Sequence, residues 1–152
     1  MKIQLTAEES AKLIELGVSP ERASMCLLNL DYDSEVIPCE DVWEEDGRLL
    51  ANVNDEVIDV DRKIVTKDSD FDHSYANDNP IFTLADILDI LPKKIKIHRD
   101  GDTLSMIYHC GQWRVGYSNC AEYCNHTKVA PELIDALYSL LVWCLGKGYV
   151  KV

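Results

Sequence analysis

Five cysteine and histidine side chains within residues 109–126 are the first candidates for chemistry in this chain. Thiolate and imidazole are the ligands that a tetrahedral zinc ion prefers. The stretch has no Cys-x-x-Cys pair, and Cys124-Asn125-His126 is an unusual chelate. The spacing therefore favours reduced cysteines buried as small apolar side chains, and we predict no metal and no cofactor. The zinc candidates are His109, Cys110, Cys120, Cys124 and His126.

The same stretch offers a thiol nucleophile. Cys120 or Cys124 would pair with His109 or His126, because a nearby imidazole keeps a thiolate at neutral pH. No flanking signature identifies a nucleophile, and neither a phosphate-binding glycine loop nor a metalloprotease motif occurs. A non-enzymatic protein is therefore the favoured interpretation, and a metal- or thiol-dependent enzyme is the alternative.

A second metal hypothesis concerns the acidic segment that begins at Asp68. Asp68, Asp70 and Asp72 match the first three ligand positions of a calcium loop. His73 stands at the sixth position, where a glycine makes the turn, and Asn79 stands at the twelfth, where a bidentate Glu is needed. The pattern therefore favours a solvated acidic loop.

The net charge is −12, and the middle of the chain carries all of it. Residues 29–79 contain sixteen acids and four bases, whereas the remainder contains eleven of each. This distribution disfavours direct binding to nucleic acid or to an anionic membrane, and it favours a basic protein surface as partner. The predicted partner-binding acids are Asp41, Glu44, Glu45, Asp46, Asp55, Glu56, Asp59, Asp61, Asp68, Asp70 and Asp72.

The length of 152 residues suits one domain, with residues 29–79 as an acidic insertion rich in strands and loops. No secretory signal is present, and the apolar run 136–145 is too short to span a bilayer. We therefore expect a cytoplasmic protein, in which the six cysteines are reduced.

The element that organises the fold is a helix predicted over residues 131–145, followed by Gly146-Lys147-Gly148. Pro131 suits the first helical position, because its missing N–H would have no partner there. Apolar residues cover most of the helix circumference, so the helix must be buried. Strands at 94–98, 103–109 and 112–118 predict a three-stranded antiparallel meander beneath it, and residues 119–129 are expected to be a connection.

Upstream of this core, capping signals predict three shorter helices. Thr6-Ala7-Glu8-Glu9 has the capping-box spacing for a helix to Leu16, and Ser19-Pro20-Glu21 predicts a second helix to about Leu28. A third helix is predicted over residues 84–91. Between them, short strands separated by acids and turn residues predict a meander whose outer face is open to solvent.

Aromatic residues on alternate strand positions and on the facing helix are predicted to belong to the core rather than to a ligand-stacking site. They are Trp113, Tyr117, Tyr123, Tyr138 and Trp143.

The layout of residues 82–149 combines a capped helix at 82–93, the strand Trp113-Arg114-Val115-Gly116-Tyr117 and the helix Leu133-Ile134-Asp135-Ala136-Leu137-Tyr138 with Trp143. Together with Leu13-Ile14-Glu15-Leu16-Gly17, it resembles small uncharacterised proteins encoded by bacterial prophages and other mobile elements. The resemblance covers about half of the chain. It implies an accessory protein of a mobile element and assigns no catalytic residues.

These patterns predict an α+β fold, in which a C-terminal antiparallel sheet packs against a long C-terminal helix. An N-terminal helical corner and the acidic, strand-rich middle complete it. The predicted function is that of an accessory or inhibitor protein that presents its acidic middle to a basic protein surface. Mimicry of a nucleic-acid backbone is the sharper version of this hypothesis.

Overall fold

The structure, a computed structural model, describes residues 1–29, 34–46, 48–59, 80–96, 101–118 and 124–150. The chain divides into two compact units. We call Thr6–Thr83 the N-terminal unit, and Met1–Leu5 with Leu84–Val152 the C-terminal unit. The predicted strand at 63–66 and the predicted loop at 67–79 lie outside the described residues.

The N-terminal unit begins with helix α1 (Ala7–Glu15), whose predicted capping box is confirmed. The Glu9 amide donates to the Thr6 hydroxyl at 3.2 Å, and the Thr6 amide donates to the Glu9 carboxylate at 3.0 Å. These two bonds satisfy backbone donors that have no partner within the helix. Leu13 is fully buried, and Gly17 follows the C-cap Leu16 in the left-handed region, with φ of +107°.

The second helix predicted for the N-terminal corner is wrong. Ser19 caps only a single 3-10 turn, Pro20–Arg22, after which Ala23 is extended with ψ of 131°. The chain then forms strand β1 (Met25–Asn29), in which Cys26 and Leu28 are buried. A short apolar run suits a helix or a strand equally well by periodicity, so pairing with distant strands decides the outcome.

Strand β1 is the centre of a three-stranded antiparallel sheet. Its neighbours are β2 (Ser34–Pro38) on one side and β6 (Pro80–Ile81) on the other. The Phe82 amide then donates to the buried Ser10 hydroxyl of α1 at 3.2 Å, which satisfies two polar groups in the interior of the unit.

The predicted acidic meander is confirmed as a second three-stranded sheet. Strands β3 (Val42–Glu45), β4 (Arg48–Val53) and β5 (Glu56–Asp59) pair in sequence order. Asn54 and Asp55 both have positive φ, at 52° and 65°, as a tight two-residue hairpin turn requires.

The C-terminal unit contains helix α2 (Leu84–Ile90) and a four-stranded antiparallel sheet. The order in this sheet is β10-β9-β8-β7. The strands are β7 (Lys94–Ile95), β8 (Asp102–His109), β9 (Gln112–Ser118) and β10 (Cys124–Ala130).

The predicted three-stranded meander is therefore corrected to four strands. Residues 124–130, which we expected in a connection, form β10 and pair with β9 from Ser118 to Trp113. The polar sequence Asn-His-Thr-Lys shows no alternation of apolar residues, so hydrophobicity does not predict this strand. Pairing with β9 stabilises it.

The organising helix α3 (Leu133–Lys147) begins two residues later than predicted, because Glu132 rather than Ala130 is its N-cap. It continues two residues beyond the predicted end, to Lys147, where Gly148 ends it in the left-handed conformation. Its side chains pack against β9, β10 and α2. Ile134, Leu137, Leu140, Leu141 and Cys144 are fully buried.

The first residues of the chain are tied to this unit. The Lys2 ammonium pairs with the Asp135 carboxylate at 2.7 Å, and the Lys2 amide donates to Glu132 at 3.0 Å. The Leu84 amide donates to the Ile3 carbonyl at 2.9 Å.

The α+β class, with a C-terminal antiparallel sheet packed against a C-terminal helix, is confirmed. Among the described residues, none of the helices combines the length and the apolar character needed to cross a membrane.

Candidate functional site

The β3–β4–β5 meander carries the densest charge among the described elements. Residues 40–59 contain eight acids and one base, Arg48. Such a density repels its own members and attracts cationic surfaces. The meander is therefore the candidate site.

The two faces of the meander differ sharply. Val42, Ala51 and Ile58 form one cross-strand row, since Val42 lies opposite Ala51 and Ala51 opposite Ile58. This row belongs to a hydrophobic cluster with Cys26, Leu28 and Ile37 of the first sheet. The cluster covers one face of the meander, which we call its inner face.

The outer face of the meander carries Trp43, Leu50 and Val57. Trp43 lies directly opposite Leu50, and Val57 lies opposite the neighbouring Asn52. Strand alternation places these residues away from the cluster. Trp43 and Leu50 are half-buried, whereas Val57 is 63% exposed. The outer face therefore has an apolar centre that is partly open to solvent.

The acids lie at both ends of the strands. Glu40, Asp41, Asp55 and Glu56 are at the end where β4 turns into β5, and Glu45 and Asp46 are at the opposite end. The six-residue strand β4 separates the two groups by about 17 Å, at about 3.3 Å per residue. The exposed apolar centre thus lies between two acidic turns.

Glu45 is the described acidic side chain that contacts this centre. The Trp43 indole N–H donates to the Glu45 carboxylate at 3.4 Å, which holds the carboxylate beside the ring. Glu45 also lies opposite Arg48 in the β3–β4 register. One end of the meander therefore combines an aromatic ring with an oriented negative charge.

The predicted partner-binding acids are described only in part. Glu45, Asp46, Asp55 and Glu56 are exposed, and Asp41 is half-buried. For Glu44 and Asp59 the structure describes the backbone, within β3 and β5. Outside the described residues lie Asp61, Asp68, Asp70 and Asp72, and with them the predicted calcium loop.

The zinc and thiol candidates at the β8–β9 hairpin tip are separated from those on β10. His109 and Cys110 are exposed at the tip of the β8–β9 hairpin. Backbone pairing places Cys124 opposite Ser118 and His126 opposite Tyr117, towards the other end of β9. The tip and His126 are about 16 Å apart along the strands, which is too far for a shared metal ion. Cys120 lies outside the described residues.

Across the part of the chain with described positions, no three His, Cys, Asp or Glu side chains are grouped to hold a metal ion. Of the candidate side chains between His109 and His126, the structure describes those of His109 and Cys110, and for Cys124 and His126 it describes the backbone.

Two buried thiols, Cys26 and Cys144, and the buried Tyr117 hydroxyl have a raised pKa, which favours their neutral forms. In the N-terminal unit, a hydrogen bond to Cys39 and burial raise the pKa of the Cys26 thiol, while the Cys39 thiol donates to the Ala23 carbonyl at 3.5 Å. In the C-terminal unit, burial raises the pKa of both Tyr117 and Cys144. A thiol with a raised pKa is a poor nucleophile, so these cysteines are structural.

Tyr117 is part of the core, as predicted, and not of a ligand-stacking site. Its side chain is fully buried, and its hydroxyl donates to the Pro92 carbonyl at 2.7 Å. The Cys144 thiol of α3 donates to the same hydroxyl at 3.8 Å. Trp113, Tyr138 and Trp143 are half-buried, and Tyr123 lies outside the described residues.

Sequence reasoning missed the apolar centre of the outer face. The signal was present in part, because Trp43 and Leu50 directly flank the buried Val42 and Ala51 in the sequence and strand alternation places them on the other face.

No protein-family model, curated protein or solved structure matches this chain.

Proposed function

We propose that this chain is a non-enzymatic accessory protein that binds a basic protein surface through its acidic meander. The observation that carries the proposal is the outer face of β3–β5, where an exposed apolar centre lies between two acidic turns. Resemblance to proteins of mobile elements agrees with an accessory role and stays a prediction.

This arrangement supports a binding role on energetic grounds. Protein interfaces draw most of their affinity from a few apolar or aromatic anchors, surrounded by a polar rim that excludes water. Trp43 and Val57 have the character of anchors, and Glu45, Asp55 and Glu56 have the character of a rim. The carboxylates add charge-led association, which selects cationic partners and speeds their encounter.

Mimicry of a nucleic-acid backbone is the sharper form of the proposal. Two acidic turns on an exposed sheet offer negative charge to the same surfaces that bind phosphates. If it is correct, the chain competes with a nucleic acid for a nucleic-acid enzyme.

The first test uses a synthetic peptide of alternating lysine and leucine as the probe. Calorimetry at 50 mM and 300 mM salt should show binding that weakens by roughly tenfold or more, since charge-led association is screened. The double variant Glu45→Gln/Glu56→Gln should reduce binding at low salt. The matched control Glu8→Gln/Glu21→Gln removes two exposed acids of the same unit outside the meander.

Equal loss in both double variants would show that net charge alone attracts the peptide, and the proposal would fail. A loss confined to the meander variant supports it. Competition by a DNA duplex for a nucleic-acid enzyme then distinguishes mimicry from simple protein binding.

A further inference from the structure

The β8–β10 strands of the C-terminal unit carry a surface whose chemistry is opposite to that of the meander. Residues 103–118 and 124–130 contain no Asp or Glu. Near the hairpin tip, several large apolar side chains are nevertheless exposed: Ile107 and Val129 on the face of Arg114, and Met106 and Tyr108 on the face of Val115. An exposed apolar surface without carboxylates is unusual in a chain with a net charge of −12.

One cross-strand row defines the face concerned. Ile107 of β8 lies opposite Arg114 of β9, and Arg114 lies opposite Val129 of β10. Ile107 is 54% exposed, Val129 is 47% exposed, and Arg114 is exposed between them. We call these three residues the arginine row.

The arginine row faces away from α3. Tyr117 and Val115 are fully buried on the opposite face of β9, and Tyr117 contacts Cys144 of α3 through its hydroxyl. Because side chains alternate along a strand, Arg114 points to the other side. No described carboxylate forms an ion pair with Arg114.

We propose that the arginine row docks on the outer face of the meander of a second copy of this chain. This inference rests on the proposed function and deepens it, since it names a partner for the same site. A guanidinium between two aliphatic side chains complements an aromatic and aliphatic centre with the Glu45 carboxylate beside it. Each copy carries one surface of each kind, so the chain is complementary to itself.

The net charge of the chain opposes this association at long range. Two copies repel each other through their net charges of −12, while the local surfaces attract. At physiological salt the screening length is about 8 Å, so the contact between the surfaces outweighs the long-range repulsion. We therefore expect a shallow salt dependence, unlike the steep one for a cationic peptide.

The experiment is sedimentation equilibrium of the full chain. At 150 mM salt, the weight-average mass should rise above the monomer value of 17.2 kDa between about 1 and 100 µM. Arg114→Glu places a carboxylate against Glu45 and should weaken self-association by roughly tenfold or more. Glu45→Lys places an ammonium against Arg114 and should weaken it similarly.

Mixing the two variants decides between this contact and a general charge effect. On mixing, the altered row of the Arg114→Glu variant can dock on the altered meander of the Glu45→Lys variant, so that opposite charges meet again. The unaltered row of the Glu45→Lys variant can dock on the unaltered meander of the Arg114→Glu variant, which keeps the native pair. Self-association should therefore return on mixing, which also shows that both variants are folded. Lys128→Glu is the matched control, since Lys128 is the neighbour of Val129 on the opposite face of β10 and should leave self-association unchanged.

A wild-type chain that stays monomeric across this concentration range overturns the inference, as does a mixture that fails to restore association. Equal weakening by Arg114→Glu and Lys128→Glu also overturns it. If a monomeric chain still binds the lysine–leucine peptide through the meander, the proposed function stands and only the self-association fails.

Discussion

The β8–β9–β10 strands and the β3–β4–β5 meander are both built from consecutive antiparallel hairpins, but they are covered differently. The C-terminal sheet lies against α3, whose Ile134, Leu137 and Leu140 are fully buried. The meander is covered on its inner face by a small cluster around Ala51, and its outer face stays partly open. Apolar area removed from water supplies most of the folding free energy, so we expect the C-terminal sheet and α3 to contribute more to stability than the meander does.

The largest loss of stability is expected from a substitution in α3. Leu137→Ala removes a fully buried side chain and leaves a cavity, which should lower the free energy of unfolding by about 2–5 kcal/mol. Urea denaturation followed by far-UV circular dichroism measures it. The control, Ser139→Ala, changes an exposed residue of the same helix and should stay within about 0.5 kcal/mol. Similar costs for the two variants would contradict the central position of Leu137.

A smaller effect is expected in the meander. Ala51 is fully buried between Val42 and Ile58, so Ala51→Leu should overpack the inner face and cost about 1–3 kcal/mol. Asn52→Leu introduces the same side chain at the next, exposed position and should cost little. Unfolding can be followed by Trp43 fluorescence in a background in which Trp113 and Trp143 are Phe. The assignment of the two faces is wrong if Asn52→Leu is the costlier change.

Because its thiols and Tyr117 are buried, we expect the free energy of unfolding to fall in alkali. Burial raises the pKa of Cys144 and Tyr117, so above about pH 9 the unfolded chain releases protons that the folded chain keeps. Each such group should lower the free energy of unfolding by about 1.4 kcal/mol per pH unit once its unfolded form is ionised.

Urea titrations from pH 7 to pH 11 measure this decline. Tyr117→Phe should make the slope shallower above pH 10, because one ionisable group is gone. An unchanged slope would show that Tyr117 does not contribute.

The smallest effect on stability is expected on the outer face. Val57→Ser changes an exposed residue and should shift the free energy of unfolding by less than about 0.5 kcal/mol. The same variant should weaken binding of the lysine–leucine peptide, because Val57 belongs to the apolar centre. Binding that is unaffected would remove the apolar centre from the proposed interface and leave only the acidic turns.

Local chemistry made much of the fold predictable. The capping box of α1, the glycine ends of α1 and α3 and the tight turn at Asn54 and Asp55 depend on residues within a few positions of each other. The β3–β5 meander followed from the same kind of signal, since short apolar pieces alternate with turn residues.

The candidate site was predictable in composition and not in arrangement. The acids of residues 40–59 are visible in the sequence, but their separation into two turns about 17 Å apart depends on strand register. The same is true of His109 and His126, which the order of β8, β9 and β10 places far from each other.

The sequence by itself determined the α+β class, the buried character of α3 and the concentration of negative charge in the middle of the chain. Only the tertiary structure decided that residues 25–29 and 124–130 are strands, and which side chains share a face. The physical reason is that helix caps and turns are stabilised by neighbours along the chain, whereas a strand is stabilised by partners that the fold brings from elsewhere.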